Sequence, residues 1–138
     1  MRSCLVLSSI ILAPLLSSCS VMDNLGQAER EISNFHQSLD AGQFEDIYNK
    51  AGDGFKTGTP KAETLAFLAA VHRKLGKVKE TKRGTWNVTH NTSGHFVTIQ
   101  YETEFTEGKG AENFVYTISG GQVYLYSYNV NSTALVIK

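Results

Sequence analysis

Four histidines are the residues of this chain best suited to bind a metal or to move a proton: His36, His72, His90 and His95. Metal sites on helices usually place two ligands three or four residues apart on one face. No two of these histidines have that spacing on one predicted helix. His36 lies beside an apolar helical stripe and His72 lies within another, so we interpret both as packing residues.

His90 and His95 flank a predicted hairpin turn, and we expect them to approach each other across it. Two imidazoles alone bind a transition metal weakly, and the sequence places no acidic third ligand beside them. We therefore interpret them as a surface pair and predict no metal site. No cofactor is predicted either.

Four carboxylates are concentrated on one predicted hairpin. Such groups perform acid–base chemistry when burial raises the pKa of one of them. Alternation along the strand places Glu102 and Glu104 on its solvated face. We interpret the whole cluster as solvated surface: Glu102, Glu104, Glu107 and Glu112. Nucleophile-elbow, phosphate-loop and zinc-protease motifs are absent from the sequence, so we predict a protein that is not an enzyme.

The strongest charge feature is a run of six cations within eleven residues, opposed only by Glu80. A solvated helix end followed by a solvated strand start explains it. The functional alternative is a surface for anionic lipid headgroups or an acidic partner. Its candidate contact residues are Arg73, Lys74, Lys77, Lys79, Lys82 and Arg83.

Aromatic residues are dense in the second half of the chain. Core packing and cross-strand pairing account for most of them. The rings alternate onto both faces of the predicted sheet, whereas a single core uses one face. We therefore also consider a ligand pocket or interface lined by Trp86, Tyr101, Tyr116 and Tyr126.

Length and charge narrow the class of protein. The chain has 138 residues, which suits one domain. Its 41% hydrophobic content argues against a disordered chain. Thirteen Lys and Arg balance thirteen Asp and Glu, and without a basic excess we predict no nucleic-acid binding.

Helical periodicity dominates the first half. Apolar residues recur at steps of three and four from Leu25 to Leu39, which predicts a helix over about residues 24–40, ended by Gly42. A short helix is predicted from Phe44 to about Lys50. Thr59 and Pro60 predict the N-cap and first position of a third helix, which Gly76 ends.

Beyond Gly76 the apolar period changes to two, which predicts an antiparallel meander of about four strands. The turns are marked by residues 91–94, 108–110 and 120–121. Helices followed by a curved meander give the α+β class, because the apolar face of the sheet needs the long first helix as its cover.

The first twenty residues resemble the precursor of a bacterial lipoprotein. Arg2 precedes a short apolar run, and Leu16-Ser17-Ser18-Cys19 matches the lipobox. The resemblance implies a signal peptide over residues 1–18, cleavage before Cys19, a diacylglycerol on its sulfur and an acylated N-terminus. Residues 19–23 would then be a lipidated tether, and residues 24–138 one domain. An ordinary secretory signal is the alternative.

The predicted domain resembles the nuclear-transport-factor-2-like superfamily, whose bent sheet wraps a helix to make a cone. More closely, it is similar to small uncharacterised bacterial lipoproteins of that fold. The likeness rests on the segment after the first helix, on the paired strands 95–105 and 111–118, and on the closing segment 126–132. Enzymes of the superfamily place an acidic base or a His–Asp pair inside the cone, and this sequence does not match their motifs.

These resemblances imply a non-catalytic envelope lipoprotein, bound to a membrane through Cys19 and acting as a binding or docking module. Ser20 follows the cysteine in place of the retention signal Asp, which favours the outer membrane facing the periplasm. The ligand or envelope partner is not identified by the sequence. The alternative function is a small-molecule carrier or enzyme using the cone, and the aromatic sheet faces are compatible with a homodimer.

Overall fold

The computed structural model describes residues 19–137, and the predicted signal peptide lies outside them. The first helix, α1, spans Cys19–Asp40 and begins five residues before the predicted start. Neither Gly nor Pro interrupts residues 19–24, so the helix continues through the segment predicted as a tether. Val21 and Met22 are exposed there, because this first turn extends beyond the apolar stripe.

The predicted stripe of α1 is confirmed. Its five members are all buried: Leu25, Ala28, Ile32, Phe35 and Leu39. Gly42 adopts φ +71° after the last turn, and its N–H donates to the carbonyl of Leu39 at 3.1 Å. This is the left-handed helix end that the sequence predicts.

Three further helices lead to the sheet: α2 (Phe44–Lys50), α3 (Asp53–Gly58) and α4 (Lys61–Leu75). The sequence analysis did not predict α3, which begins within the glycine-containing segment at residues 52–54. The start of α4 also differs by one residue from the prediction. Pro60 is the N-cap, without a side-chain capping bond, and Thr59 is extended before it.

The strands form one open, curved, antiparallel sheet in the order β1-β2-β3-β4. They are β1 (Val78–Asn91), β2 (Gly94–Phe105), β3 (Gly108–Ser119) and β4 (Gln122–Asn131). Register shifts interrupt β1 and the β3–β4 pair, and such bulges increase local twist and bend. The predicted α+β class and meander are confirmed. The second turn, however, lies at residues 106–107 and not at 108–110, because residues 108–110 pair with the end of β2 as the start of β3. A short helix, α5 (Thr133–Ile137), follows and was not predicted.

The core lies between α1 and one face of this sheet, which we call the inner face. Alternate residues of β2 and β3 supply its buried floor: Val97, Ile99, Thr103, Phe105, Glu112, Phe114 and Tyr116.

Two contacts set the direction of α1. Gln27 Nε2 donates to the Gly121 carbonyl at 3.1 Å, and the Val78 N–H donates to Asp40 Oδ1 at 3.0 Å. The N-terminal half of α1 therefore lies at the end of the sheet that holds the β1–β2 and β3–β4 turns.

Gly76 ends α4 in a backbone conformation that only glycine adopts readily, with φ +77° and ψ −153°. A Cβ at this position would overlap Thr106 Oγ1. We expect Gly76→Ala to lower the free energy of unfolding by about 1–3 kcal/mol, measured by urea denaturation. Gly58→Ala is the matched control, because a Cβ there meets no atom within 4 Å. Equal stability of the two variants would contradict this account.

Candidate functional site

The most unusual polar group of the described chain is the carboxylate of Glu112, which is only 1% exposed. Glu112 lies on β3 between the inward positions Gly110 and Phe114, so strand alternation directs it into the core. Burying a carboxylate is costly unless hydrogen bonds compensate it. Three side chains supply those bonds.

Each partner of Glu112 comes from a different element. Thr103 Oγ1 of β2 donates to Oε2, and the Tyr128 hydroxyl of β4 donates to Oε1 at 2.7 Å. His36 of α1 places Nε2 2.8 Å from Oε2. The pair is separated by 76 residues in the sequence, so the tertiary fold alone brings it together.

His36 is 7% exposed, and aromatic rings hold it in place. The edges of Phe35 and Phe114 meet its ring at centroid distances of 6.0 and 5.7 Å. The sequence interpretation of His36 as a packing residue is therefore correct in part, since the ring is packed in the core. The carboxylate partner was not predicted.

Glu112 corrects the sequence interpretation of the carboxylate cluster. Glu102 and Glu104 lie on the outer face of the sheet, as expected, but Glu112 is buried on the inner face. The signal was present in the sequence. Phe114 and Tyr116 are two residues apart on β3, and the same two-residue period extends back to Glu112.

The hydrogen bond between His36 and Glu112 relates the tautomer of the imidazole to the charge of the carboxyl group. An ionised Glu112 accepts only, so Nε2 of His36 carries the hydrogen that it donates. In a neutral imidazole Nδ1 is then unprotonated, with its lone pair available. Nδ1 of His36 has no hydrogen-bond partner within residues 19–137. If it were also fully buried it would be a buried unpaired nitrogen, and the only such nitrogen in that range is Nδ1 of His72. Nδ1 of His36 therefore keeps contact with solvent.

A cleft of about 260 Å³ lies beside His36, between α1 and the β1–β2 hairpin. His36 forms part of its wall. The polar part of the lining consists of Glu29, Ser33, Gln37, Asp40, Thr81 and Tyr101. Ile32 and Val78 supply the apolar part. A cleft of this size accommodates a small organic molecule and no larger ligand.

The space enclosed between α1 and the inner face is filled by side chains. Rings of Phe35, Phe114 and Tyr128 pack with centroid separations of 4.5 to 5.2 Å. The void beside Tyr116 and Phe35 has a volume of only about 50 Å³. The described residues therefore leave no room for a ligand inside the core, and the lateral cleft lies outside it.

The four aromatic candidates for a common pocket occupy four different places. Tyr101 lines the lateral cleft, and Tyr116 is buried in the core. Trp86 lies on the edge strand β1, 39% exposed. Tyr126 falls in the register shift of β4, where its ring meets the Phe96 ring edge-on at 5.2 Å.

The six basic candidates also separate. Arg73, Lys74 and Lys77 lie at the C-terminal end of α4, where Lys74 Nζ donates to the Leu135 carbonyl at 2.6 Å. Lys79 and Lys82 lie beside glutamates of the outer face, with Lys79 3.2 Å from Glu104. Arg83 pairs with Glu29 at the rim of the lateral cleft.

Burial of two inner-face tyrosines makes stability depend on alkaline pH. Desolvation raises the pKa of Tyr116 well above its usual value. Desolvation, followed by the charge and hydrogen bond of Glu112, raises the pKa of Tyr128 well above it too. Both groups therefore bind their proton more tightly in the folded state. The contribution of the two tyrosines to the free energy of unfolding is fully present below about pH 10 and declines above it.

We accordingly expect the free energy of unfolding to fall as pH rises above about 10, measured by urea denaturation across the alkaline range. Tyr128→Phe removes one of the two groups and should reduce this slope. Tyr124→Phe, at an exposed position, is the matched control and should leave it unchanged. A slope that Tyr128→Phe does not alter would contradict the assignment.

Within residues 19–137, no helix is long and apolar enough to cross a membrane. In the same range, no three side chains of His, Cys, Asp or Glu converge on a position for a metal ion.

Comparisons with known proteins place the chain in a family. The search of curated proteins produced no match. A solved structure of a protein from Catenulispora acidiphila has a TM-score of 0.53 at 14% identity, over 86% of this chain and 97% of that one, a likeness of fold. The model of the family described as "Protein of unknown function (DUF4019)" matches residues 32–127, which include His36, Thr103 and Glu112. The chain thus belongs to the DUF4019 family of proteins of unknown function.

Proposed function

We propose that this protein is an envelope-tethered binding module whose lateral cleft, beside α1, holds a small ligand. One observation carries the proposal. The buried Glu112 holds His36 through Nε2, His36 forms part of the wall of the cleft, and Nδ1 has no partner among the described residues. An acceptor held rigidly by a carboxylate is a costly arrangement for packing alone, whereas it suits ligand recognition.

The chemistry of the cleft indicates the class of ligand. Nδ1 of His36 and the carboxylate of Asp40 both offer acceptors, and Gln37, Ser33 and Thr81 add further polar groups. Arg83 neutralises Glu29 at the rim, and no lysine or arginine belongs to the described lining. A small ligand rich in hydrogen-bond donors, such as an organic ammonium ion, complements this surface.

A second candidate function uses the same group as a base. A carboxylate that holds an imidazole by one nitrogen leaves the other able to take a proton from a substrate. The His36–Glu112 pair has this arrangement, which favours an enzyme or carrier over a docking protein. Saturable conversion of a bound molecule, lost in His36→Gln, would support catalysis over simple binding.

The proposal also includes the nuclear-transport-factor-2-like cone and the lipid anchor. The open, curved sheet around α1 supports the cone, and the lipobox-like residues 16–19 support acylation at Cys19. From Cys19 to Asp40 the helix rises about 30 Å. A bilayer held at Cys19 would therefore lie far from Arg73, Lys74 and Lys77, so these cations suit an acidic partner better than the anchoring membrane.

The anchor has a direct test. We expect Cys19→Ala to move the protein from the membrane fraction to the soluble fraction, because one residue carries all of the acyl chains. Cys4→Ala, within the predicted signal peptide, should leave the mature protein at the membrane. Fractionation of cells followed by mass spectrometry of the N-terminal peptide measures both. Full retention of Cys19→Ala would contradict the anchor.

Native mass spectrometry of the protein extracted from its own envelope in mild detergent tests the cleft. A retained small molecule is expected on the wild type and absent on His36→Gln. His72→Gln, outside the cleft, is the control and should keep it. A mass retained equally by both variants would contradict the site, as would absence of any retained mass together with no NMR shift of α1 amides on adding small amines.

A further inference from the structure

A second constellation of imidazoles lies at the tip of the β1–β2 hairpin, away from the lateral cleft. The strand register pairs His90 directly with His95, and Asn91 with Gly94. Gly94 adopts φ +134°, and the Ser93 N–H donates to Asn91 Oδ1 at 2.8 Å. The backbone of the tip is therefore well defined, and it fixes how the two histidines face each other.

The two rings are in contact. Their centroids are 3.7 Å apart with an angle of 60° between the planes. Both residues are exposed, and neither side chain forms a hydrogen bond to another described residue. The hydrophobic core does not include them. Packing therefore does not explain why two polar rings meet here.

The ring contact changes the sequence interpretation of a surface pair without a metal, and we propose that His90 and His95 together bind a divalent transition-metal ion, each through one ring nitrogen. Imidazole is a preferred ligand of copper, zinc and nickel. Metal–nitrogen bonds of about 2.0–2.1 Å require the two nitrogens to converge on one point. Directly opposite positions on neighbouring strands have Cβ atoms about 5 Å apart, which allows that convergence by small side-chain rotations.

The site differs from a structural zinc site. Two protein ligands leave the remaining coordination positions to water or to a ligand from another molecule, and no third metal-binding side chain converges on the pair within the described chain. The ion is therefore held exchangeably. Affinity should follow the usual order, with Cu²⁺ bound more tightly than Ni²⁺ or Zn²⁺.

The position of the pair gives this site a distinct environment. The β1–β2 turn lies at the same end of the sheet as the β3–β4 turn, which Gln27 of α1 contacts. The pair thus lies at the end of the domain from which α1 begins. This inference does not depend on the function proposed for the cleft.

Titration of the full chain with Cu²⁺ tests the proposal, with the protein purified in mild detergent through a tag that contains no histidine. Isothermal calorimetry should show that His90→Gln or His95→Gln weakens Cu²⁺ binding about 100-fold. The single imidazole that remains no longer has a second ligand held close to the same ion. His72→Gln is the matched control and should bind as the wild type does. The thiols of the chain are the same in every variant, so their contribution cancels.

A second measurement does not depend on the variants. Paramagnetic Cu²⁺ at low stoichiometry should broaden the NMR signals of residues around the tip, including Val88 and Val97, and leave those of α4 sharp. The proposal is overturned if the glutamine variants bind Cu²⁺ as tightly as the wild type. Broadening centred on another region of the chain would overturn it as well.

Discussion

Replacing Glu112 by alanine is expected to lower the free energy of unfolding by several kcal/mol, because it leaves three buried hydrogen-bond donors without an acceptor, each at a cost of about 1–3 kcal/mol. The change removes the acceptor of Thr103, of Tyr128 and of His36 at once. All three donors are buried. Urea denaturation followed by circular dichroism measures the loss.

A double-mutant cycle separates the pair from the rest of the network. The double variant His36→Ala, Glu112→Ala should cost less than the sum of the single variants, since each single change already removes their shared bond. Glu102→Ala, on the outer face, is the matched control and should change stability by no more than about 0.5 kcal/mol. Additive effects of His36 and Glu112 would contradict the coupling.

Glu112→Gln gives a sharper test of the proton arrangement. The amide keeps the shape of the side chain but replaces one acceptor oxygen with a donor. One of the three donors around position 112 then faces another donor, so the isosteric change is also expected to destabilise the protein. Glu112→Gln as stable as the wild type would mean that Glu112 is protonated, and that the tautomer of His36 is the opposite one.

Phe114→Ala is expected to cost about 3–5 kcal/mol in the free energy of unfolding, as for other large aromatic residues deleted from a core. Phe114 is fully buried at the centre of the inner face. Its ring meets those of Phe35, His36 and Tyr128 at centroid distances of 5.2, 5.7 and 5.0 Å. Removing the ring opens a cavity beside α1, next to His36 and Tyr128, which both bond to Glu112.

Two comparisons control this prediction. Phe67→Ala, at a position on α4 that is 41% exposed, should cost much less in urea denaturation. Phe114→Leu should cost less than Phe114→Ala but still shift the imidazole NMR signals of His36, because the leucine lacks the ring edge that positions it. Unchanged His36 signals would show that Phe114 stabilises the core without orienting the histidine.

Local pattern determined much of the fold. The stripe from Leu25 to Leu39 predicted the buried face of α1. Alternation after Gly76 predicted the meander and the places of its first and last turns, but not that of the turn between β2 and β3. Residues three or four apart share a helix face, and residues two apart share a strand face, whatever the rest of the chain does. The buried position of Glu112 was within reach of the same rule, since it continues the alternation of Phe114 and Tyr116.

The site itself was decided by the tertiary structure. His36 and Glu112 are separated by most of the domain, and no periodicity relates a helix residue to the strand residue that it will face. The same reason explains the basic run, whose neighbours in sequence separate onto the end of α4, the outer face and the rim of the cleft. The sequence by itself determined which face of each element is apolar. Only the packing of α1 across the curved sheet decided which polar groups meet, because that packing depends on the whole core at once.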